Sequence, residues 1–517
     1  MHTVIVYEIF KKEKGLRYSL KSLLKGTLFL AGVLLVSKLF GFVYRIAFTR
    51  LAGENVVGIY MTVYPTFIFF IAVMQLGLPL AVTKLSAHFH AIGQPQAVQA
   101  VLKRAFTLSK VSIIFWLPIM LIVSPLIATT LLHNKDAQLT LLVAIVTVPV
   151  VVFSSIYRGY LQGIDRLSAS AWSTLFEQCV RLLLLLTFLP LAIGQAPVIV
   201  AACAMGITAG AEVAALFFSY ICYTQSKSKL LNPTLVSYNE LLHIALPTAG
   251  SKLFGSFTWF LEPIIFLYAL TKSGLTSSYA TTAYGLVSNV HIPLLLFPAF
   301  IPQALAIALV PSISALQAKG AYKKLNAQLH ETLRMCSCIA CYAAGGFFIG
   351  GDLLASRLFD VEHLNWLKVL APVFFFYYIQ SPLNSVLQAL GYAQVAMKNS
   401  ILGGCIKLVC LFALASLPSL QITGAIISIG IGVMFTTFMH VASVQSVKNV
   451  SLAWGSLLSP YFVFLISIGA AYFVEPVSLQ LSVVFCSLTV GLVVFKQIRF
   501  SDFLLIKQLL QRFTLNK

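Results

Sequence analysis

Ser37-Lys38-Leu39-Phe40-Gly41 returns letter for letter as Ser251-Lys252-Leu253-Phe254-Gly255. Each copy sets a lysine about midway along an apolar run long enough to cross a bilayer, where an unpaired ammonium costs at least ~2.5 kcal/mol. A chain that bears this cost twice, at matching places in two halves, is expected to use the charge. The pentapeptide therefore raises two questions at once, whether the chain is a duplicated membrane bundle and what its internal cations do.

Composition answers the first. Of 517 residues, 59% are hydrophobic and 10% charged, against roughly 25% charged in an ordinary soluble domain. A globular core needs polar faces on most of its helices, so repeated apolar runs of about 20 residues exclude a soluble protein. The runs lack the period-2 alternation of a membrane barrel and are about twice too long for one. The expected fold class is an all-α membrane protein.

Reading apolar runs between polar breaks gives about fourteen transmembrane helices. Six fall within residues 24–223, the N-lobe, including Val57 to Val82 and Leu139 to Leu161. A cytoplasmic linker, 224–240, precedes a C-lobe at 241–447 whose six spans include Ala280 to Val310. Two C-terminal helices follow within 448–496. Residues 1–23 form a cytoplasmic segment, and 497–517 a tail whose stretch Phe500 to Phe513 suits an amphipathic helix on the membrane surface. Gln94 to Ala105 and Gln317 to Leu329 are expected as amphipathic connections at matching places in the two lobes.

Charge sidedness supports this order, because a missed helix would invert every later loop. Lys84, Lys103, Arg104, Arg158, Arg166, Lys227, Lys229, Lys319, Lys323, Lys324, Lys398 and Lys448 fall on one side with both basic termini, while the other side offers mainly Arg50, Lys135, Lys272 and Arg357. A multi-pass protein of a bacterial inner (plasma) membrane with both termini cytoplasmic is expected. The formal charge of +20 then reflects loops facing an anionic leaflet, not nucleic acid. The first apolar run is too long for a signal-peptide core and reads as a retained anchor.

The pentapeptides fix an offset of 214 residues, from Ser37 to Ser251. Leu161-Gln162-Gly163 resembles Leu387-Gln388-Ala389 at an offset of 226, and the same offset carries Arg181 onto Lys407. With six helices per repeat, both lobes start on the same side, as parallel repeats about an axis along the membrane normal. Lys38, Arg181, Lys252 and Lys407 then lie near mid-membrane, with Arg45 higher in the first span. Acids within the spans are Glu177, Glu212 and Glu262, with Asp352 nearer an outer end. Glu177 and Arg181, four apart, can pair on one helix face. Lys38, Lys252 and Lys407 have no same-helix acid at pairing distance, and each could instead pair across helices or snorkel. The expectation is a water-filled, cation-rich central cavity between the bundles, suited to a lipid-borne diphosphate. Prolines within spans, among them Pro65, Pro79, Pro118, Pro149 and Pro298, provide kinks.

No phosphate-cradling loop, nucleophile elbow or metal-ligand spacing occurs, so no cofactor, metal or enzymatic activity is expected. Cys336, Cys338 and Cys341 read as small packing residues, and His291 is the one histidine near a helix interior.

Leu23-Leu24-Lys25-Gly26-Thr27, then Ser37-Lys38 to Gly41-Phe42, Arg45, Gly58-Ile59-Tyr60 and Gly77-Leu78-Pro79, resemble the stage V sporulation protein B family of polysaccharide transporters. Arg158-Gly159-Tyr160-Leu161-Gln162-Gly163 followed by Glu177-Gln178 and Arg181 is similar to that family's most recognisable signature. The resemblance runs from Leu23 to about Phe495. It implies membership of the multidrug/oligosaccharidyl-lipid/polysaccharide flippase superfamily, with the lipid II flippases as relatives. It further implies a two-lobed bundle moving lipid-linked cell-wall precursors by alternating access, in sporulation members for the spore cortex. Lipid II flippases carry essential arginines on the first helix. Here that helix holds Lys38 and Arg45, which carries over positive charge without the bidentate fork at Lys38.

The expected function is a flippase for an anionic lipid-linked oligosaccharide, working as a monomer among membrane lipids and cell-wall synthesis proteins. Lys38, Arg45, Lys252, Lys407 and Arg181 are its candidate substrate contacts, and Glu262, Glu212 and Glu177 its candidate coupling or gating acids. The alternatives are a cation-coupled multidrug antiporter, which needs acids to dominate the cavity, a membrane glycosyltransferase, which needs a large outer loop, and a non-transporting scaffold of cell-wall synthesis.

Overall fold

The computed structural model describes residues 32–33, 35–226, 236–362 and 365–499. The expected tail helix, the start of the first span and most of the linker lie outside them. Among the described residues the chain is helical throughout, without a strand, and eleven helices are long and apolar enough to cross a membrane. It is an all-α, multi-pass membrane protein.

Two compact units divide the chain, Met1–Phe260 and Leu261–Lys517. In the first, α1 (35–52) is followed by α2 (Glu54–Gln75), α3 (Leu78–Ala91), α4 (Pro95–Leu126), α5 (Ala137–Gly163), α6 (Leu167–Ala192) and α7 (Pro197–Thr224). The division falls within α8 (Tyr238–Lys272). The second unit continues with α9 (Ser277–Leu286), α10 (Ile292–Leu296), α11 (Phe300–Ala318), α12 (Tyr322–Phe359), α13 (Trp366–Ala389), α14 (Ala393–Ala415), α15 (Gln421–Gln445), α16 (Trp454–Ala471) and α17 (Val477–Val494).

Helix α5 is the hub of the first unit, packed on α2, α3, α4 and α7. In the second, α12 packs on α13, α16 and α17, and α14 on α15. Cys338 and Cys341 lie in its buried core with Leu329, Phe375 and Val484. His291 is buried as well, its ring 5.0 Å from that of Trp366.

Two expected spans are broken. Val57 to Val82 is interrupted after Gln75, where Leu76 and Gly77 adopt left-handed backbone (φ 49° and 69°) and Pro79 opens α3. A Cβ on Gly77 would sit 2.3 Å from the Ala245 carbonyl oxygen of α8, so both the turn and the close approach call for glycine. Ala280 to Val310 passes through a π-turn at Val287–His291 and is interrupted near Pro298. At an offset of 214, Gln75 falls on Asn289, inside that turn. The first span thus breaks at a left-handed glycine, while at the matching offset the other keeps helical backbone through a widened turn and breaks only at 297–299.

Two expected connections turn out to be continuous with spans. Gln94 to Ala105 forms the opening of α4, which Pro95 starts in the first turn where a missing N–H costs nothing. Gln317 to Leu329 overlaps α12, which runs 38 residues from Tyr322. In α4 the opening is held by burial of Ala97, Val98, Val101 and Leu102, an apolar face that continues into the span without a breaker.

Candidate functional site

In the first unit the charges converge. Small residues Ala211, Ala215 and Ser219 line one face of α7, and Ser173 of α6 bonds Ser219 at 2.8 Å, so the two helices pack closely. One turn on, this places Glu177 of α6 near Glu212 of α7. The buried Glu177 accepts from Arg181 at 2.6 Å and from Arg158 at 2.8 Å, one guanidinium on each carboxylate oxygen. Glu212 stands 3.5 Å from Arg158 and 3.7 Å from Arg181. Two arginines and two glutamates make a neutral quartet, as a buried charge requires.

The Glu177–Arg181 pair is the one the i,i+4 spacing suggests. Arg158 adds a residue that the sequence reading counted only for its side of the membrane. It sits inside α5, five residues before the helix ends, and it also donates to Ser154 at 3.0 Å. Tyrosines adjoin the quartet: the Arg181 guanidinium lies 6.0 Å from the Tyr44 ring, and Tyr60 bonds Thr208 at 3.0 Å. Arg45, half-buried on α1, is within electrostatic reach of Tyr60, Tyr64 and Arg181.

Lys38 and Lys252 lie elsewhere. Lys38 is exposed on α1 beside the buried Ser37. Lys252 has an exposed stem on α8, and its ammonium donates to the carbonyl oxygen of Gln75 at 2.5 Å. Gln75 is buried at the end of α2, and its amide nitrogen donates to Ser155 of α5 at 3.0 Å. That bond fixes the amide so that its oxygen faces the lysine. Among the described residues Lys252 forms no ion pair. The break after Gln75 is what ends α2 beside α8, so fold and contact have one cause.

The second unit joins a lysine and a glutamate across two helices. Lys407 of α14 donates to Glu262 of α8 at 2.6 Å, both side chains mostly buried. Lys407 thus takes the cross-helix ion pair that the sequence left open for each of the three lysines, with Glu262 as its partner. Gly432 of α15 lets the lysine stem lie flat, since a Cβ there would be 2.7 Å from the Lys407 Cβ. Sequence reasoning missed Arg158 and Gln75. An arginine near a helix end looks like loop charge, and an uncharged amide 177 residues away gives no signal.

The family model described as polysaccharide biosynthesis protein matches residues 23–317. The stage V sporulation protein B of Bacillus subtilis (strain 168) is 34% identical over 445 residues, covering 84% of this chain and 85% of that one. The chain belongs to this family. The lipid II flippase MurJ of Bacillus subtilis (strain 168) is 24% identical to this family member over 447 residues, 79% of this chain and 80% of that one. A solved structure of lipid II flippase MurJ in an inward closed conformation superposes with a TM-score of 0.66 at 12% identity, covering 92% of this chain and 100% of that one. At that identity the likeness concerns the fold.

Proposed function

We propose that this family member is a flippase that moves an anionic lipid-linked oligosaccharide across the bacterial plasma membrane by alternating access. Lys252 carries the reading. It sits in the middle of an apolar helix on a neutral amide, where an uncompensated ammonium costs at least ~2.5 kcal/mol. An arrangement that stabilises only the empty protein would place an acid there, as at Lys407. A phosphate oxygen can displace the Gln75 carbonyl and form a stronger, charge-assisted bond.

Lys38 and Arg45 on the first helix, with Lys252 on its repeat partner, are the proposed contacts for the diphosphate. Lys407–Glu262 and the quartet of Arg158, Arg181, Glu177 and Glu212 are proposed as gating pairs that open or close with the transport cycle. The relatives named for sporulation and for lipid II support a peptidoglycan precursor as cargo, with the spore cortex as its destination. The termini are placed in the cytoplasm on the charge asymmetry of the loops, and the working unit is taken as a monomer alongside cell-wall synthesis proteins.

The test is flipping of lipid II in proteoliposomes by the Lys38→Gln/Lys252→Gln variant. Transport is expected to fall to background while expression and thermal stability stay at wild-type levels. Unimpaired transport by the double variant would overturn the reading.

A further inference from the structure

We propose that a groove on the first unit binds an anionic phospholipid of the surrounding leaflet, at a site separate from the cargo contacts. Helices α4, α5 and α7 enclose a cavity of about 730 Å³. Its floor is polar: Gln99 donates to the Tyr160 hydroxyl at 2.9 Å and accepts from the Tyr223 hydroxyl at 3.1 Å. Its wall is aromatic, with the Phe106 ring 4.8 Å from Tyr157, which in turn lies 5.3 Å from Tyr223.

Two cations stand over it. Lys103 and Lys110 line the cavity seven residues apart, hence on one face of α4 and about 10.5 Å apart along its axis. Both are exposed, and among the described residues neither forms an ion pair. Among the described residues no carboxylate lines the cavity. Two flexible lysine stems can converge on one phosphate between them.

The other end of the groove is apolar and open. From Val111 onward α4 exposes large hydrophobic side chains, Ile114 at 75% and Phe115 at 60%, and Phe217 on α7 is 63% exposed. In a bilayer such a surface meets acyl chains, so the change from Lys110 to Val111 marks the headgroup boundary. A ligand that fits must carry a negative group at one end and hydrocarbon at the other. A phospholipid of the adjacent leaflet has both and is present at high local concentration. A free phosphate would leave the aromatic wall and the apolar mouth unfilled.

The test titrates phosphatidylglycerol and phosphatidylcholine, separately, into the full-length protein in mild detergent and counts lipid adducts by native mass spectrometry. Phosphatidylglycerol is expected to bind saturably and at least about tenfold more tightly than phosphatidylcholine, and Lys103→Gln/Lys110→Gln to weaken it about tenfold. Both lysines are exposed, so the thermal transition of that variant should match wild type. Val213→Trp, which fills the mouth without changing charge, should weaken phosphatidylglycerol as well. Equal binding of the two lipids, or wild-type retention of phosphatidylglycerol by the lysine variant, would overturn the proposal. So would an equal loss in Lys38→Gln/Lys252→Gln, which would assign the adduct to the transport site. Full retention there, whatever that variant does to lipid II flipping, supports a separate lipid site.

Discussion

The fifth helices of the two halves, α6 and α14, solve one problem in two ways. Arg181 and Lys407 occupy matching positions, 226 residues apart, and both are neutralised. On α6 the acid is Glu177, shared with Arg158 and flanked by Glu212. At the same offset the second half has Gly403 in place of Glu177 and Asn384 in place of Arg158. A side chain on Gly403 would collide with Thr436 of α15, so an acid cannot stand there. The compensating carboxylate comes from Glu262 on α8 instead. The two matching positions therefore share a cation and its neutralisation while the partner differs. Against both stands Lys252, on the first helix of its repeat, whose partner is an amide. The cations proposed for gating are matched by acid, and Lys252, proposed as a cargo contact, is met by an amide.

The largest expected effect breaks the first half of this comparison. Glu177→Gln leaves two mostly buried guanidiniums with Glu212 alone, and should lower stability by about 3–5 kcal/mol, the range for orphaning a buried charge. A thermal transition in detergent checks it, with Arg158→Gln/Glu177→Gln expected to recover part of the loss. A Glu177→Gln protein as stable as wild type would mean that the quartet is not a unit.

Glu262→Gln should cost less, about 2 kcal/mol. Lys407 is a single cation on a flexible stem with 23% side-chain exposure, and it can swing toward water when its partner is lost. Adding Lys407→Met removes the orphaned charge and should return the transition to within about 1 kcal/mol of wild type. If Glu262→Gln is instead the more damaging change, the two halves do not differ in the way their geometry implies.

The helical class was legible because apolar length is a local property of a chain. So was Glu177–Arg181, because i,i+4 spacing on a helix is a contact written in sequence. Lys407–Glu262 and Lys252–Gln75 were not, since they join residues 145 and 177 positions apart through the packing of different helices. Arg158 fell inside the expected span Leu139 to Leu161 but counted only toward loop charge, because its partners Glu177 and Glu212 lie on other helices. The break at Leu76–Gly77 was masked by apolar neighbours, although Gly77-Leu78-Pro79 carries a turn signal that a stricter reading of glycine before proline could have used.

The smallest expected effect on stability is the one that most sharpens the contrast. Gln75→Glu changes the partner of Lys252 from amide to carboxylate at nearly constant shape, giving the first-helix cation what Lys407 already has. Ser155, which now accepts from Gln75 and donates to the Val152 carbonyl oxygen, can turn its hydroxyl to the new carboxylate, and a pair whose lysine is exposed adds under about 1 kcal/mol to stability. Transport should respond in the opposite sense. An incoming phosphate would then have to displace a carboxylate from Lys252 and leave it buried beside its own negative charge, so flipping of lipid II should fall about tenfold, corresponding to about 1.4 kcal/mol. Gln75→Leu separates charge from the mere loss of a hydrogen bond, because it frees the ammonium without adding an anion and should leave most of the transport intact. Wild-type flipping by Gln75→Glu would show that the uncompensated charge on Lys252 does no work on the cargo, and would remove that residue from the proposed diphosphate contacts.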